Sequence, residues 1–473
     1  MKSMRLSLRC AAVTTIAAVA VLGLGGCAST PIPPMESSAP IISAPPVQAA
    51  PLPKPPPEPT PPAAETFAID LPGGAATPQA GANTGDRAAQ PGDAAPGADE
   101  RTPLNAPVNM ALLLPLRSET LGAAAASLRA GFMAAWERDR DNITVSVIET
   151  GDSPQEILER YASASENEDI IVGPLARSAV AAVAASSSVT KPTIALNYPE
   201  GYGSAGAAPL PPKMLAMGLS IEEEARQAAQ WAASEHPNAS ALILTTSSAW
   251  QRRIAAAFAG QWQRLGQPVR MVELNAPNGY LSDPDLVQLR ARLAQDPPGL
   301  LFSAMGADQT RQLRGALSAG LISEAASPVI STASAMPMDD QPGTAPAAPA
   351  NAFSNLPIYG TSALNPGTMT YASPELDGVR LLDLPWQVQR DHPAVMVYPH
   401  PLESSSADMA RLYALGIDAY RVAREISRKP AGRFSLDGVT GRLTIDFGRG
   451  PASFERIEQP AIYTNGVPRA VAR

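Results

Sequence analysis

The chain has 473 residues, a formal charge of −8, 50 prolines, 2 cysteines and 3 histidines. An acidic chain without a basic stripe is not built for nucleic acid or for an anionic lipid surface. His236, His392 and His400 are scattered and have no cysteine or paired carboxylate at ligand spacing. No metal site is expected, and no fingerprint of a nucleotide or other cofactor appears.

Lys2, Arg5 and Arg9 precede an apolar stretch from Ala11 to Leu24, the charged and hydrophobic regions of an export signal. The stretch is too short for a comfortable membrane span. Its end, Leu24-Gly25-Gly26-Cys27, is similar to the lipobox of bacterial lipoproteins. That likeness implies removal of a signal peptide over 1–26 and lipidation of Cys27. Each buried methylene adds about 0.8 kcal/mol, and more than one acyl chain gives stable anchoring. Ala28 stands where an aspartate would imply retention in the inner membrane. The expected location is therefore the outer membrane, lipid-anchored and facing the periplasm. With Cys10 in the leader and Cys27 lipidated, no structural disulfide is expected.

From Cys27 to Ala106 the chain is rich in Pro and Ala and holds 19 prolines, with hardly a large apolar residue. Such a segment cannot bury enough surface to offset its ordering entropy, so a disordered linker is expected over 27–106. At about 3.1 Å per residue in polyproline II it could reach on the order of 240 Å.

At Val108 the texture changes. Val108–Leu114 is a continuous apolar run of strand length, as in a buried parallel strand. A helix follows Pro115, with Leu121, Ala125, Leu128, Phe132 and Trp136 on one face. Then come a strand at 143–148, a helix at 154–165, a strand at 169–172 ending in Gly173-Pro174, a helix at about 176–187 and a strand at 192–196. Ser220 with Glu223 forms a capping box that opens a helix to about Glu235. A strand at 241–244 precedes a helix from Ala249 to Leu265, with Trp250, Ile254, Phe258 and Trp262 on its core face and Gly266 at its C-cap. Strands near 268–274, 299–303 and 356–360 alternate with helices near 284–295 and 308–319, and the Ala/Pro/Ser-rich stretch 323–352 reads as a disordered insertion. After 377–382 a helix carries Met409, Leu412, Tyr413, Gly416, Tyr420 and Ala423 on one face, and strand-like alternation fills the tail. The alternation predicts an α/β class with two doubly wound lobes behind the Pro-rich tether.

Chemistry is sparse. Ser188-Val-Thr-Lys191 matches S-x-x-K, which needs a helical turn to bring lysine onto serine, but Pro192 and a following strand disfavour that turn. Glu222, Glu223 and Glu224 open a helix, where they complement its dipole. Arg252 and Arg253 read as a solvated edge. No catalytic residue is assigned. In doubly wound sheets a ligand cleft lies at the carboxyl ends of the strands. Here that places Pro115, Arg117, Ser118, Gly173, Pro174, Asn197, Thr245 and Ser247 as candidate lining.

Several segments in order resemble the LppC/LpoA-type lipoprotein family of penicillin-binding protein activators. They include Met110–Leu116, Gly131–Trp136, Ile170–Leu175, Pro192–Asn197, Glu224–Ala229 and Trp250 with Arg253 and Phe258. The more specific ones are Leu376-Asp-Gly-Val-Arg-Leu-Leu-Asp-Leu-Pro-Trp386 and Tyr413-Ala-Leu-Gly-Ile-Asp-Ala-Tyr420, followed by Leu436-Asp-Gly-Val-Thr-Gly-Arg-Leu443. The resemblance covers roughly 107–473 and implies a type I periplasmic-binding-protein fold with three crossovers. On that template lobe 1 takes about 107–218 and 377–430, lobe 2 about 219–376, and C-terminal hairpins 431–473. It implies a non-enzymatic activator of a class A penicillin-binding protein, with peptidoglycan as a further candidate partner. The family's enterobacterial form carries a large helical repeat domain ahead of this one, and here the disordered tether is expected in its place. Two other functions stay open: a solute-binding receptor for an amino-acid-like or muropeptide ligand, and a cell-wall enzyme that would depend on Ser188.

Overall fold

A computed structural model describes residues 106–203, 207–318, 353, 355–367, 372–401 and 406–472. Cys27, the tether up to residue 105 and the insertion at 323–352 lie outside the described residues.

The first sheet is built from β1 (Val108–Leu114), α1 (Gly122–Arg138), β2 (Ile143–Glu149), α2 (Pro154–Asn167), β3 (Ile170–Val172), α3 (Arg177–Ala185), β4 (Thr193–Ala195) and β5 (Met214–Ala216). All its strands are parallel, in the order β2-β1-β3-β4-β5. β1 is fully buried from Met110 to Leu114, as its unbroken apolar run requires. β5 was not foreseen: three residues behind Pro211-Pro212 are too short to show a period.

The second lobe runs through α4 (Ile221–Glu235), β6 (Ala241–Thr245), α5 (Ala249–Arg264), β7 (Val269–Glu273), α6 (Asp283–Gln295), β8 (Leu300–Ser303), α7 (Ala307–Ser318), β9 (Ile358–Gly360) and β10 (Arg380–Asp383). The chain then returns through α8 (Pro385–Val388), α9 (Ala407–Arg428) and the antiparallel strands β11 (Gly432–Asp437), β12 (Arg442–Phe447) and β13 (Ser453–Ile457). It crosses once more to β14 (Gln459–Thr464) and β15 (Val467–Ala470). The second sheet has the order β15-β14-β10-β9-β8-β6-β7, with β14 antiparallel to β10.

Two boundaries differ from expectation. Residues 377–383 belong to the second sheet, where β10 pairs with β9 and β14, so the return to the first lobe begins after Asp383. The tail is not one set of hairpins. β11–β13 pack on the first lobe's core through Leu443, Ile445 and Phe447, whereas β14 and β15 close the second sheet. Pairing partners this distant in sequence leave no local signal. Three crossovers result, near 217–220, 384 and 458.

Each sheet is covered on both faces. α1 and α9 share one face of the first sheet, and α2 and α3 pack on the other. α1 and α9 touch backbone to backbone. A Cβ at Gly131 would sit 1.9 Å from the Tyr413 carbonyl oxygen, and one at Gly416 2.0 Å from that of Leu128. Phe132 meets Tyr420 edge-on beside this crossing, with centroids 5.3 Å apart. In α5 the buried face is Gln251, Ile254, Ala255, Phe258 and Trp262, and Phe258 stacks on Phe302 and Trp262. Trp250, expected in the core, is 36% exposed, because the buried stripe of α5 runs through Gln251, Ile254, Ala255 and Phe258. Gly266 takes φ +74° and ends α5 as expected, its N–H bonding the Gln263 carbonyl. Among the described residues no helix is long and apolar enough to cross a membrane.

Candidate functional site at the lobe junction

Topology points both sheets at one place. The chain leaves the carboxyl end of β5 to enter α4, and leaves the carboxyl end of β10 to enter α8, so the carboxyl ends of both sheets face the crossovers. The expected cleft residues do stand at strand ends, but their polar atoms are engaged locally. Arg117 pairs with Glu156. Ser118 Oγ accepts from Leu121 N at 3.0 Å, in the turn before α1. Asn197 donates to the Leu175 carbonyl at 3.2 Å, which brings it onto the loop after Gly173-Pro174. Pro115, Gly173, Pro174 and Thr245 are buried, and Ser247 is exposed. Asn197 and Gly173-Pro174 come together; among the described residues no hydrogen bond joins Thr245 or Ser247 to the first-lobe group. A cavity of about 1060 Å³ lies between α8 and the β14–β15 hairpin, and none of these eight residues lines it.

What holds the crossovers is a buried polar cluster that sequence reasoning missed. Arg411, from α9, donates to both carboxylate oxygens of Asp383 at 3.1 and 2.9 Å. It also donates to the carbonyls of Ser362 and Asn365 in the second lobe, at 3.0 and 2.8 Å. Asp383 further accepts from Asn365 and from Leu384 N, both at 2.8 Å. One side chain of the first lobe thereby fixes the second crossover to the strand ends of the second lobe. Such a pair is expensive to bury, so its geometry and its extra hydrogen bonds must be complete.

The first and third crossovers are tied together in the same way. Arg456 donates to the Gly218 carbonyl at 2.7 Å and to Thr440 Oγ1 at 3.0 Å. Gln227, on α4, donates to the Arg456 carbonyl and accepts from Glu458 N. Asp418, with no exposed surface, accepts from the N–H groups of Val439 and Thr440 and from the Thr440 hydroxyl, which pins the β11–β12 turn. The Leu-Gly-x-Asp-Ala-Tyr, Asp-Gly-Val-Thr-Gly and Leu-Asp-Leu-Pro-Trp segments supply Asp418, Thr440 and Asp383 to these networks, whereas Arg411, Gln227 and Arg456 lie outside them.

The three glutamates of α4 part company. Glu222 pairs with Arg253 and Glu223 with Arg226, as an exposed helix end would. The capping box is half made: Ser220 Oγ accepts from Glu223 N, but the Glu223 carboxylate turns to Arg226. Glu224 is 5% exposed and accepts from Ser362 N at 2.8 Å. Its helical spacing to Gln227, Ala228 and Trp231 was the available signal. Burial pushes the Glu224 carboxyl above the usual range, and burial followed by Glu224 itself pushes the Glu458 carboxyl up as well. Burial also raises the Tyr198 phenol to about 12, against the pull of Arg456. Ser188 and Lys191 lie on the non-helical connection between α3 and β4, so the turn that S-x-x-K chemistry needs is missing. Among the described residues no group of three or more His, Cys, Asp or Glu side chains is placed to hold a metal.

The family pattern of LppC lipoproteins matches residues 103–450. The chain belongs to the LppC lipoprotein family. The penicillin-binding protein activator LpoA of Vibrio cholerae serotype O1 (strain ATCC 39541) is 28% identical over 367 residues, covering 72% of this chain and 55% of the relative. This LppC chain thus spans about half the length of the curated relatives it matches. The C-domain of LpoA from Haemophilus influenzae, a regulator of PBP1A, superposes with a TM-score of 0.56 at 21% identity, over 77% of this chain and 100% of that one. It shows the LppC head to have that α/β fold. A branched-chain amino acid ABC transporter structure from Chromobacterium violaceum has a TM-score of 0.56 at 31% identity, over 75% of this chain and 99% of that one.

Proposed function

We propose that this chain is a lipid-anchored, non-catalytic activator of a class A penicillin-binding protein. The observation that carries the reading is membership of the LppC family over 103–450, with relatives that are penicillin-binding protein activators. Acyl chains on Cys27 hold the chain in the outer membrane, and the Pro-rich tether carries the two-lobed head toward the synthase. Activation by binding alone requires that the head prefer the active state of its partner. The purified full chain is expected to retain a class A synthase in a pull-down and to raise its rate of cross-link formation. No retention and no rate change would overturn the proposal. Cys27→Ser is expected to abolish membrane partitioning while leaving the pull-down intact.

A second reading has its own support in the likeness to the Chromobacterium structure: a receptor whose lobes close on a branched-chain amino acid. Saturable binding of leucine to the full chain by calorimetry, without an effect on any synthase, would favour it.

A further inference from the structure

The third crossover holds a buried, under-paired acid. Glu458 is 4% exposed, and its Oε2 has no hydrogen-bond partner; Arg456, two residues earlier, is 6% exposed and leaves Nη2 without one. The glutamate's backbone is well held, by Gln227, so the loose end is the carboxyl group alone. The groups whose charges face it are Glu224 on α4, Asp383 at the end of β10, Arg411 on α9 and Arg456 on β13. The Tyr198 phenol, on the loop after β4, lies within reach of the same field. Three carboxyl groups thus stand against two guanidinium groups, all more than nine-tenths buried.

These five do not share their charge evenly. Arg411 is committed to Asp383, and Glu224 has the Ser362 amide. Arg456 spends its bonds on Thr440 and Gly218 and makes no ion pair within the cluster. An ionised carboxylate with a buried oxygen that accepts no hydrogen bond is costly for Glu458, and a neutral carboxylic acid is less so.

We propose that Glu458 is a proton latch: its neutral carboxyl keeps the third crossover seated between the lobes, and loss of that proton unseats it. The junction then reads the pH of the compartment the chain faces. Burial and the neighbouring Glu224 both favour the held proton, which agrees with the geometry. The sign follows from linkage. An acid whose proton is held more tightly in the folded head stabilises it at low pH. That contribution is complete below the ordinary glutamate range, is lost as pH rises from there through the folded-state value, and is flat beyond it. With one proton released on opening, the equilibrium for opening the junction changes by about tenfold per pH unit between the ordinary value and the folded-state value.

The test uses the full chain in detergent. Infrared difference spectra of a titration from acid to alkaline pH should show carbonyl bands of buried protonated carboxyl groups that disappear as pH rises, and Glu458→Gln should remove one of them, leaving that of Glu224. Hydrogen exchange at 217–220, 383–385 and 457–459, corrected for intrinsic pH dependence, should lose protection over the same range in the wild type and stay flat in Glu458→Gln. Glu224→Gln should move the midpoint to lower pH without abolishing it, because it removes a neighbouring negative charge. A Glu224→Gln chain whose spectrum shows no carboxyl group protonated above the ordinary glutamate range overturns the proposal. So does a Glu458→Gln chain whose crossovers loosen with pH as the wild type's do.

Discussion

The core of the first lobe and the junction between the lobes are equally dry, yet different forces hold them. Where α1 crosses α9, two glycines let backbone meet backbone, and the neighbours are Leu128, Phe132, Leu415 and Tyr420, all essentially without exposed surface. Non-directional burial and close packing suffice there. At the junction Arg411, Asp383, Glu224, Arg456 and Glu458 are buried just as deeply, and directional bonds hold them. Apolar packing makes each lobe a body; buried polar pairing sets the angle between bodies, because charge pairs have few acceptable geometries. An apolar crossing tolerates no extra volume, and a polar one tolerates no lost partner.

The sharpest way to break this contrast is to add volume at the glycine crossing. Gly416→Val places atoms where even a Cβ would be 2.0 Å from the Leu128 carbonyl oxygen. Overpacking of backbone against backbone cannot relax by a rotamer change, so a loss of about 4 kcal/mol or more is expected, with a matching fall in the thermal midpoint. Gly260→Ala on α5 is the control. Nothing lies within 4 Å of its Cβ position, and stability should rise by about 0.5–1 kcal/mol. Equal destabilisation in both would refute the packing account.

Next in size is removal of a partner at the junction. Arg411→Met leaves Asp383 buried with no exposed surface and no counter-charge, and should cost about 3–5 kcal/mol in denaturant unfolding. Adding Asp383→Asn should recover part of that loss, since asparagine removes the orphaned charge and its oxygen can still accept from Leu384 N. A double variant no better than Arg411→Met would show that packing, not charge, dominates at Arg411.

Much of the fold is legible in the sequence for a plain reason: parallel strands buried on both faces are written as apolar runs, and their helices as stripes. β1, α1 and α5 stand within a residue or two of where their patterns put them, except that the stripe on α5 is rotated enough to bury Gln251 and expose Trp250. The junction is not legible, because Gln227 and Glu458 are 231 residues apart and Arg411 and Asp383 are 28 apart across a lobe boundary. Glu222–Glu224 look alike as letters, and only the third turns inward. The segments that carry the family resemblance are visible in the sequence, but their role as anchors of the crossovers appears only once the chain has folded.

The pH dependence of stability separates the two regions further. Glu224 and Glu458 hold their protons above the ordinary glutamate range in the folded chain, so their contribution is complete at acid pH and fades as pH rises through their folded values. A slope of about 1.4 kcal/mol per pH unit for one proton is expected between the ordinary glutamate range and the folded values. Gly260→Ala should shift the whole curve without changing this slope, whereas Glu224→Gln combined with Glu458→Gln should flatten it. An unchanged slope in the double variant would place the titrating group outside the junction.

The smallest expected effect tests whether spanning the lobes, rather than being polar and buried, is what matters. Gln251 is 3% exposed and accepts from Thr246 N and the Thr246 hydroxyl at 3.2 and 2.7 Å, and donates to Gln309 at 2.8 Å. Gln309 in turn donates to the Gly279 carbonyl, so the whole network stays within the second lobe. Gln251→Ala leaves a buried amide and a hydroxyl unpaired and should cost about 1–3 kcal/mol. Hydrogen exchange should rise at 246–251 and remain unchanged at the three crossovers, because no bond of this network crosses between lobes. If the crossovers loosened as well, the lobes could not be treated as separate bodies, and the distinction between packing within a lobe and pairing across the junction would lose its basis.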